Sequence, residues 1–206
     1  MAGMEPPEGW EPRKYWSDMG PWLAGPGAHT KEHRETERQL RGILRSLGPI
    51  KSVLDVGCGR GRLASVLAKV LPHAAYTGID VGMEQAQATL NVRPDGETHA
   101  VALQDFYPGQ TYDLVLASEV LLHIPPDEIE HAVDRLFKLS AKWIVTIDWT
   151  EPIPGVEPAY WNWIHDYEEL FSGQVQSRHK SYLQTIYVLR ASSPWDLPGE
   201  GATNVG

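Results

Sequence analysis

The sequence predicts an α/β protein: a doubly wound sheet, mostly parallel with an antiparallel C-terminal edge, preceded by an aromatic arm and a helix. Three observations carry this. Apolar runs alternate with helix-spaced segments through the middle of the chain. The runs at 53–56, 112–117 and 143–147 are apolar without alternation, each broken by one polar residue (Asp55, Asp113 and Thr146), as in strands covered on both faces. A glycine-rich turn follows the first run and opens a helix, at the end of the strand where open α/β sheets bind ligands.

Residues 1–29 are rich in Pro, Gly and Trp, and such a stretch cannot sustain a long helix. They read as an arm, either loose or packed by Trp10, Trp16 and Trp22. A helix is expected from about Thr30 to Leu47, with Leu40, Ile43, Leu44 and Leu47 on one face and Gly48-Pro49 as its stop. Strands follow at Ser52 to Val56 and Ala75 to Asp80, separated by a helix that buries Leu63, Val66, Leu67 and Val70 and ends at Pro72. The pattern continues with a helix near Met83 to Asn91, a strand near His99 to Leu103 and a strand at Tyr112 to Ala117. A helix from about Pro126 and a strand at Trp143 to Ile147 come next. The end of the chain predicts an aromatic helix over about Pro158 to Phe171, then strands near Val175 to Arg178 and Tyr182 to Arg190. The organisation is thus an arm (1–29), one domain (30–190) and a polar tail (191–206).

Composition limits the functional classes. At 206 residues, 42% hydrophobic and 22% charged, the chain can bury a core and wholesale disorder is excluded. A net charge of −9 argues against broad binding to nucleic acid or anionic membranes, which needs a basic surface. Arg34, Arg38, Arg41 and Arg45 do recur at helical spacing, but Glu32, Glu35 and Glu37 interleave with them, as on a solvated face with local ion pairs. The lone cysteine, Cys58, excludes an intrachain disulfide and a Cys-rich zinc site. No secretory leader opens the chain and no long apolar run crosses a membrane, so a soluble, cytoplasmic protein is expected. Eight Trp against three Phe is the unusual count.

The chemistry is expected after the strands. The turn Asp55-Val-Gly57-Cys-Gly59-Arg-Gly61-Arg62 departs from the Gly-x-Gly-x-x-Gly dinucleotide pattern, because Arg62 stands where its third glycine belongs. There is no Gly-Lys-Ser/Thr of a P-loop. A carboxylate inside the turn repels phosphate and suits an amine or a sulfonium. Asp80, at the end of the second strand, can accept hydrogen bonds from two ribose hydroxyls or can cap the next helix. Asp105 follows the third strand, where a carboxylate can accept from an adenine amino group or can simply be a loop residue.

Four segments carry a resemblance: Val53-Leu-Asp55-Val-Gly57-Cys-Gly59-Arg-Gly61, Tyr76-Thr-Gly-Ile-Asp80, Leu103-Gln-Asp105-Phe106, and Tyr112 through Ser118-Glu-Val-Leu-Leu-His123-Ile-Pro125. Together they resemble the class I S-adenosylmethionine-dependent methyltransferases, whose domain is Rossmann-like. The resemblance implies S-adenosyl-L-methionine as cofactor and S-adenosyl-L-homocysteine as product. It implies that Asp55, Gly57 and Gly59 line the methionine end, that Asp80 holds the ribose with Val81 near the adenine, that Asp105 and Phe106 contact the adenine, and that Ser118 sits near the methionine portion.

The acceptor side is less defined. The segment Ala117-Ser-Glu-Val lacks the Asn/Asp-Pro-Pro-Tyr/Phe motif of amino-group methyltransferases acting on nucleic acid or glutamine. Cys58 lies inside the turn and not in a Pro-Cys pair, which removes the cytosine C5 branch. No carboxylate cluster accompanies Asp148, so no metal is assigned. His123, in Leu-His-Ile-Pro, is a candidate general base or a loop-ordering residue. His165, in the aromatic run after the fifth strand, is a second candidate, and on a helix it would share a face with Trp161. Glu119 and Tyr160 are further polar options. The expectation is methyl transfer to an O or N atom of a small-molecule acceptor, with nucleic acid and membrane not expected as partners and the oligomeric state open. Alternatives are a protein or RNA methyltransferase, or a non-catalytic module that binds the cofactor.

Overall fold

The computed structural model describes residues 8–19, 31–152, 159 and 161–191. Within them a seven-stranded sheet is built from β1 (Ser52–Val56), β2 (Ala75–Asp80), β3 (Glu97–Ala100), β4 (Tyr112–Ser118), β5 (Ser140–Trp149), β6 (Val175–Ser181) and β7 (Gln184–Arg190). The order is β3-β2-β1-β4-β5-β7-β6. The first five strands pair in parallel, and β7 runs antiparallel to both β5 and β6. The chain winds outward from β1 to β3 and then returns to the other side of β1 with β4, so the switch point lies between the carboxyl ends of β1 and β4.

Both faces of the sheet are covered, which is why Leu114 to Ala117 of β4 are apolar without alternation. Leu114 and Leu116 point to one face, among Leu40 and Leu44 of α2 (Lys31–Ser46) and Leu67 of α3 (Arg62–Val70). Val115 and Ala117 point to the other, among Val133 and Leu136 of α5 (Ile129–Leu139) and Phe171. All four strand residues are fully buried. The outer face of α2 carries one of the expected ion pairs, Arg38 with Glu35 at 2.6 Å, whereas Arg41 pairs at 3.4 Å with Glu37, which is buried and not on a solvated face.

The arm packs through its aromatics. Residues Pro12–Met19 form a two-turn helix, α1, with Pro at its first position, where a missing N–H costs nothing. Tyr15 stacks on Trp161 with centroids 5.1 Å apart, and Trp10 meets Trp163 at 5.7 Å. Trp22, Tyr160, Trp195 and the tail from residue 192 lie outside the described residues.

Three expectations need correction. Among the described residues of the aromatic run, helix is confined to α6 (Tyr167–Leu170), and residues 161–166 are not helical. Trp161 and His165 therefore share no helix face. The reason is local: Asp166 accepts from Glu169 N at 3.0 Å and starts the helix there, while Trp163 N is spent on Leu122 O at 2.7 Å. The third strand also ends earlier than expected, because residues Leu103–Asp105 turn into a 3-10 segment. In the same way, α5 starts at Ile129 and not near Pro126. The remaining helix, α4 (Met83–Thr89), lies where the pattern put it.

Candidate active site

The glycine turn between β1 and α3 forms one wall. Gly57 and Gly59 have φ of +66° and +53°, a region open to glycine and closed to most side chains. A Cβ on Gly57 would stand 2.4 Å from Val120 Cγ2, so the absent side chain is what lets the loop after β4 close on the turn. A Cβ on Gly59 would meet nothing nearer than 4.0 Å, which leaves its face open to a ligand. The turn is tied to β2 by Cys58 N donating to Ile79 O at 3.0 Å. Cys58 itself is buried, and that burial pushes its thiol up, out of the reactive range.

The carboxylates of this wall divide by direction. Asp55 is 2% exposed and accepts from Tyr76 Oη at 2.8 Å, beneath the turn and not in front of it. Burial pushes its carboxyl up to about 7, against the opposing pull of the Tyr76 hydroxyl and Arg62. Asp80 is only half-buried. Its two oxygens accept from Gly59 N and Gly82 N, both at 2.9 Å, and hold the turn against the start of α4. Burial raises Asp80, and those two backbone N–H groups oppose the rise. Val81 is half-buried beside it.

At the far end, Asp105 is exposed and accepts from Arg13 of α1 at 2.6 Å, while the same guanidinium reaches Glu128 at 3.1 Å. Phe106 is 7% exposed and packs in the core, its ring 5.5 Å from His99. The arm therefore reaches the end of the cleft that the resemblance gives to the adenine. Gln85 Nε2 donates to Trp16 O at 3.3 Å and adds a second tie.

The loop after β4 forms the opposite wall. Ser118 Oγ accepts from Arg62 at 3.2 Å, and Arg62 also pairs with Glu119 at 3.1 Å. His123 Nδ1 lies 3.0 Å from Trp161 O, and since a carbonyl only accepts, that nitrogen carries the hydrogen. Its ring lies under Trp16, with centroids 4.0 Å apart. Burial lowers His123 to about 4, so the imidazole is neutral near pH 7. His165 Nε2 is held between Leu121 O at 3.1 Å and Ile124 O at 3.0 Å, and burial lowers its pKa too. Asp148 is buried in β5, accepts from Leu122 N at 3.3 Å and is raised well above the usual carboxylate range by burial.

The fold thus brings Asp55, Gly57, Gly59, Asp80, Val81, Ser118 and His123 to the carboxyl ends of β1, β2 and β4. It sets His165 behind the loop after β4 and puts Asp105 in an ion pair. Among the described residues no group of three or more His, Cys, Asp or Glu side chains is arranged to hold a metal ion. Sequence reasoning gave no role to Arg13, His33 or Arg62. Only Arg62 left a signal, as a charged residue where a glycine turn of the dinucleotide kind has none.

Comparison with known proteins agrees with this geometry. A methyltransferase domain model matches residues 54–142. The ubiquinone biosynthesis O-methyltransferase of Photorhabdus laumondii is 35% identical over 142 residues, which cover 62% of this chain and 56% of that protein. The chain thus spans little more than half the length of this curated relative. Among solved structures, magnesium protoporphyrin IX methyltransferase of Synechocystis PCC 6803 with bound S-adenosylhomocysteine gives a TM-score of 0.69 at 17% identity, covering 87% of this chain and 98% of that one. The 1,6-didemethyltoxoflavin N1-methyltransferase of Burkholderia thailandensis gives 0.67 at 18% identity, covering 92% and 93%. At those identities the likeness is one of fold. Sheet order, glycine turn and matched segment agree: residues 54–142 match a methyltransferase domain, and the fold is that of the solved methyltransferases.

Proposed function

We propose that this protein is an S-adenosylmethionine-dependent methyltransferase that methylates an O or N atom of a small-molecule acceptor. One observation carries the reading: an open, Cβ-free face at Gly59 stands at the switch point between Asp80 and the loop after β4. The residues fit the cofactor. The turn offers close backbone approach, the Asp80 carboxylate is placed for vicinal hydroxyls, and the walls carry carboxylates and no lysine. When bound, the cofactor supplies a methyl group made electrophilic by its sulfonium.

The protein's part is to hold and orient. Gly57 and Gly59 cradle the methionine end, backed from below by Asp55. Asp80 holds the ribose, Val81 and Phe106 flank the adenine, and Asp105 meets it while sharing its charge with Arg13. Ser118 stands at the methionine portion. Residues 30–190 form the methyltransferase domain under this reading, and the arm with residues 161–166 closes over the acceptor. Trp16 Nε1, buried without a hydrogen-bond partner among the described residues, supplies a donor there. Water exclusion and alignment of the nucleophile with the S–CH3 bond then supply the rate. His165 orders the loop after β4. His123 does the same through Nδ1 and keeps a lone pair on Nε2 for an acceptor proton. Support for a small acceptor comes from the names of the relatives, which include O- and N-methyltransferases of small molecules. A cytoplasmic location belongs to the same reading, supported by a single cysteine that is free and buried.

The test is calorimetry with S-adenosylhomocysteine. Binding is expected, and Asp80→Ala should weaken it about tenfold or more, as loss of charge-assisted hydrogen bonds does. No binding, or equal binding by the variant, refutes the cofactor assignment.

A further inference from the structure

The loop after β4 holds one carboxylate to which this reading gives no task. Glu119 has φ +56°, in the left-handed region that a glutamate enters only under constraint. Its N–H donates to Ile147 O at 2.7 Å, which pins that backbone to the end of β5. One carboxylate oxygen, Oε2, takes Arg62 Nη2 at 3.1 Å and lies 3.3 Å from His33 Nε2 of α2. The other oxygen has no hydrogen-bond partner among the described residues, and the side chain is 28% exposed. The carboxylate is clamped through one oxygen and presents the second at the switch point. Residue 120, its neighbour, is the one that presses on Gly57 and fixes this loop against the cradle.

The surroundings keep it charged. Arg62 also reaches Glu37 at 3.8 Å and Ser118 at 3.2 Å, so the guanidinium is shared between two acids and the strand end. The hydrogen bond from His33 and the charge of Arg62 hold Glu119 below the usual carboxylate range despite its burial. Among the described residues, the charged and titratable groups around Glu119 are Arg62, Glu37, His33, His123 and Asp148, which is buried in β5 and raised partly by the Glu119 charge.

We infer that Glu119 is a catalytic residue: its unclamped oxygen accepts a hydrogen bond from the acceptor's O–H or N–H and faces the methyl group in transfer, while His33 and Arg62 act as positioning residues for it. This rests on the methyl-transfer reading above. When a neutral nucleophile attacks a sulfonium, positive charge moves from sulfur toward the acceptor atom. A fixed carboxylate beside that atom stabilises the developing charge, and more so in a site shielded from water. The step balances without any further reagent. The S–CH3 bond breaks with its electron pair left on sulfur, the acceptor's lone pair forms the new O–CH3 or N–CH3 bond, and the acceptor's proton passes to the Glu119–His33 pair and on to water. The site then suits an acceptor whose nucleophilic atom still carries a hydrogen.

The test needs no knowledge of the acceptor. Sinefungin carries an ammonium group where the cofactor carries its S-methyl, whereas S-adenosylhomocysteine carries nothing there. Calorimetry of both ligands on the wild-type protein, Glu119→Gln and Glu119→Asp gives a sinefungin preference for each. The wild type should prefer sinefungin by about tenfold, and Glu119→Gln should cut that preference at least about fivefold with S-adenosylhomocysteine affinity held within about threefold. Glu119→Asp, which keeps the charge, should retain most of it. A preference that falls by less in Glu119→Gln overturns the inference. Loss of S-adenosylhomocysteine binding by that variant overturns it too, since Glu119 would then be a structural post. If neither ligand binds the wild type, the methyl-transfer reading itself fails.

Discussion

Replacing Asp55 with Asn should stabilise the unliganded protein at neutral pH and leave it unchanged in acid. Asp55 lies beneath the glycine turn, 2% exposed, with Tyr76 Oη 2.8 Å away. Its carboxyl ordinarily titrates near 3.8, and burial raises it to about 7. The sign follows from proton binding: between those values the folded chain holds a proton that the unfolded chain releases. The stabilisation is full below the unfolded value and is lost as pH rises through the folded one. At about 1.4 kcal/mol per pH unit, a window of about three units gives a ceiling of about 4 kcal/mol. Local relaxation around a buried charge reduces this, and we expect a gain of about 2 kcal/mol above pH 7. Asn preserves the acceptor for the Tyr76 hydroxyl, so the difference reads the charge and not the hydrogen bond. Urea unfolding of both proteins at intervals from pH 4.5 to 8.5 measures it. Two stability curves that run parallel to within about 0.5 kcal/mol across that range refute the argument.

Two further outcomes follow from the opposite wall and from the arm. His123 is lowered to about 4, so its contribution is present above the ordinary value near 6.5 and is lost as pH falls toward 4. His123→Gln should therefore flatten the acid limb of the stability curve, and equal acid limbs in urea titrations of the two proteins would count against the burial of that ring. This effect and that of Asp55 oppose each other over much of the same pH range, so the wild-type profile conceals both and only the difference curves separate them. Because α1 lays Trp16 on His123, Trp16→Ala or deletion of residues 1–25 should reduce methyl transfer more than affinity for S-adenosylhomocysteine. Transfer of label from cofactor to a metabolite extract, set beside calorimetry, decides it. Unchanged transfer removes the arm from the acceptor site.

Much of the sheet was legible because both its faces are covered. The run from Leu114 to Ala117 has no polar interruption, and no half-solvated strand could tolerate that. The limits of β1 and β2 agree with expectation to the residue, since glycine and proline punctuate their ends. The aromatic run after β5 misled for a physical reason. Trp161, Trp163, His165 and Tyr167 have spacings that suit a helix, but Trp163 N is committed to Leu122 O, His165 Nε2 to Leu121 O and Ile124 O, and Trp161 O to His123. Spacing carries no information about such distant partners.

By itself the sequence determined the frame of the candidate cofactor site: a glycine turn after the first strand and an acid at the end of the second. These are local features, set by backbone conformations that neighbouring residues dictate. Only the tertiary structure decided the rest. It turned Asp55 away from the cleft toward Tyr76 and tied Asp105 to Arg13 across 92 positions. It also brought His33, Arg62 and Glu119 from α2, α3 and the end of β4 into one cluster. Such contacts arise from packing between elements far apart in the chain. A carboxylate's identity reveals nothing of which way it will face until those elements have met.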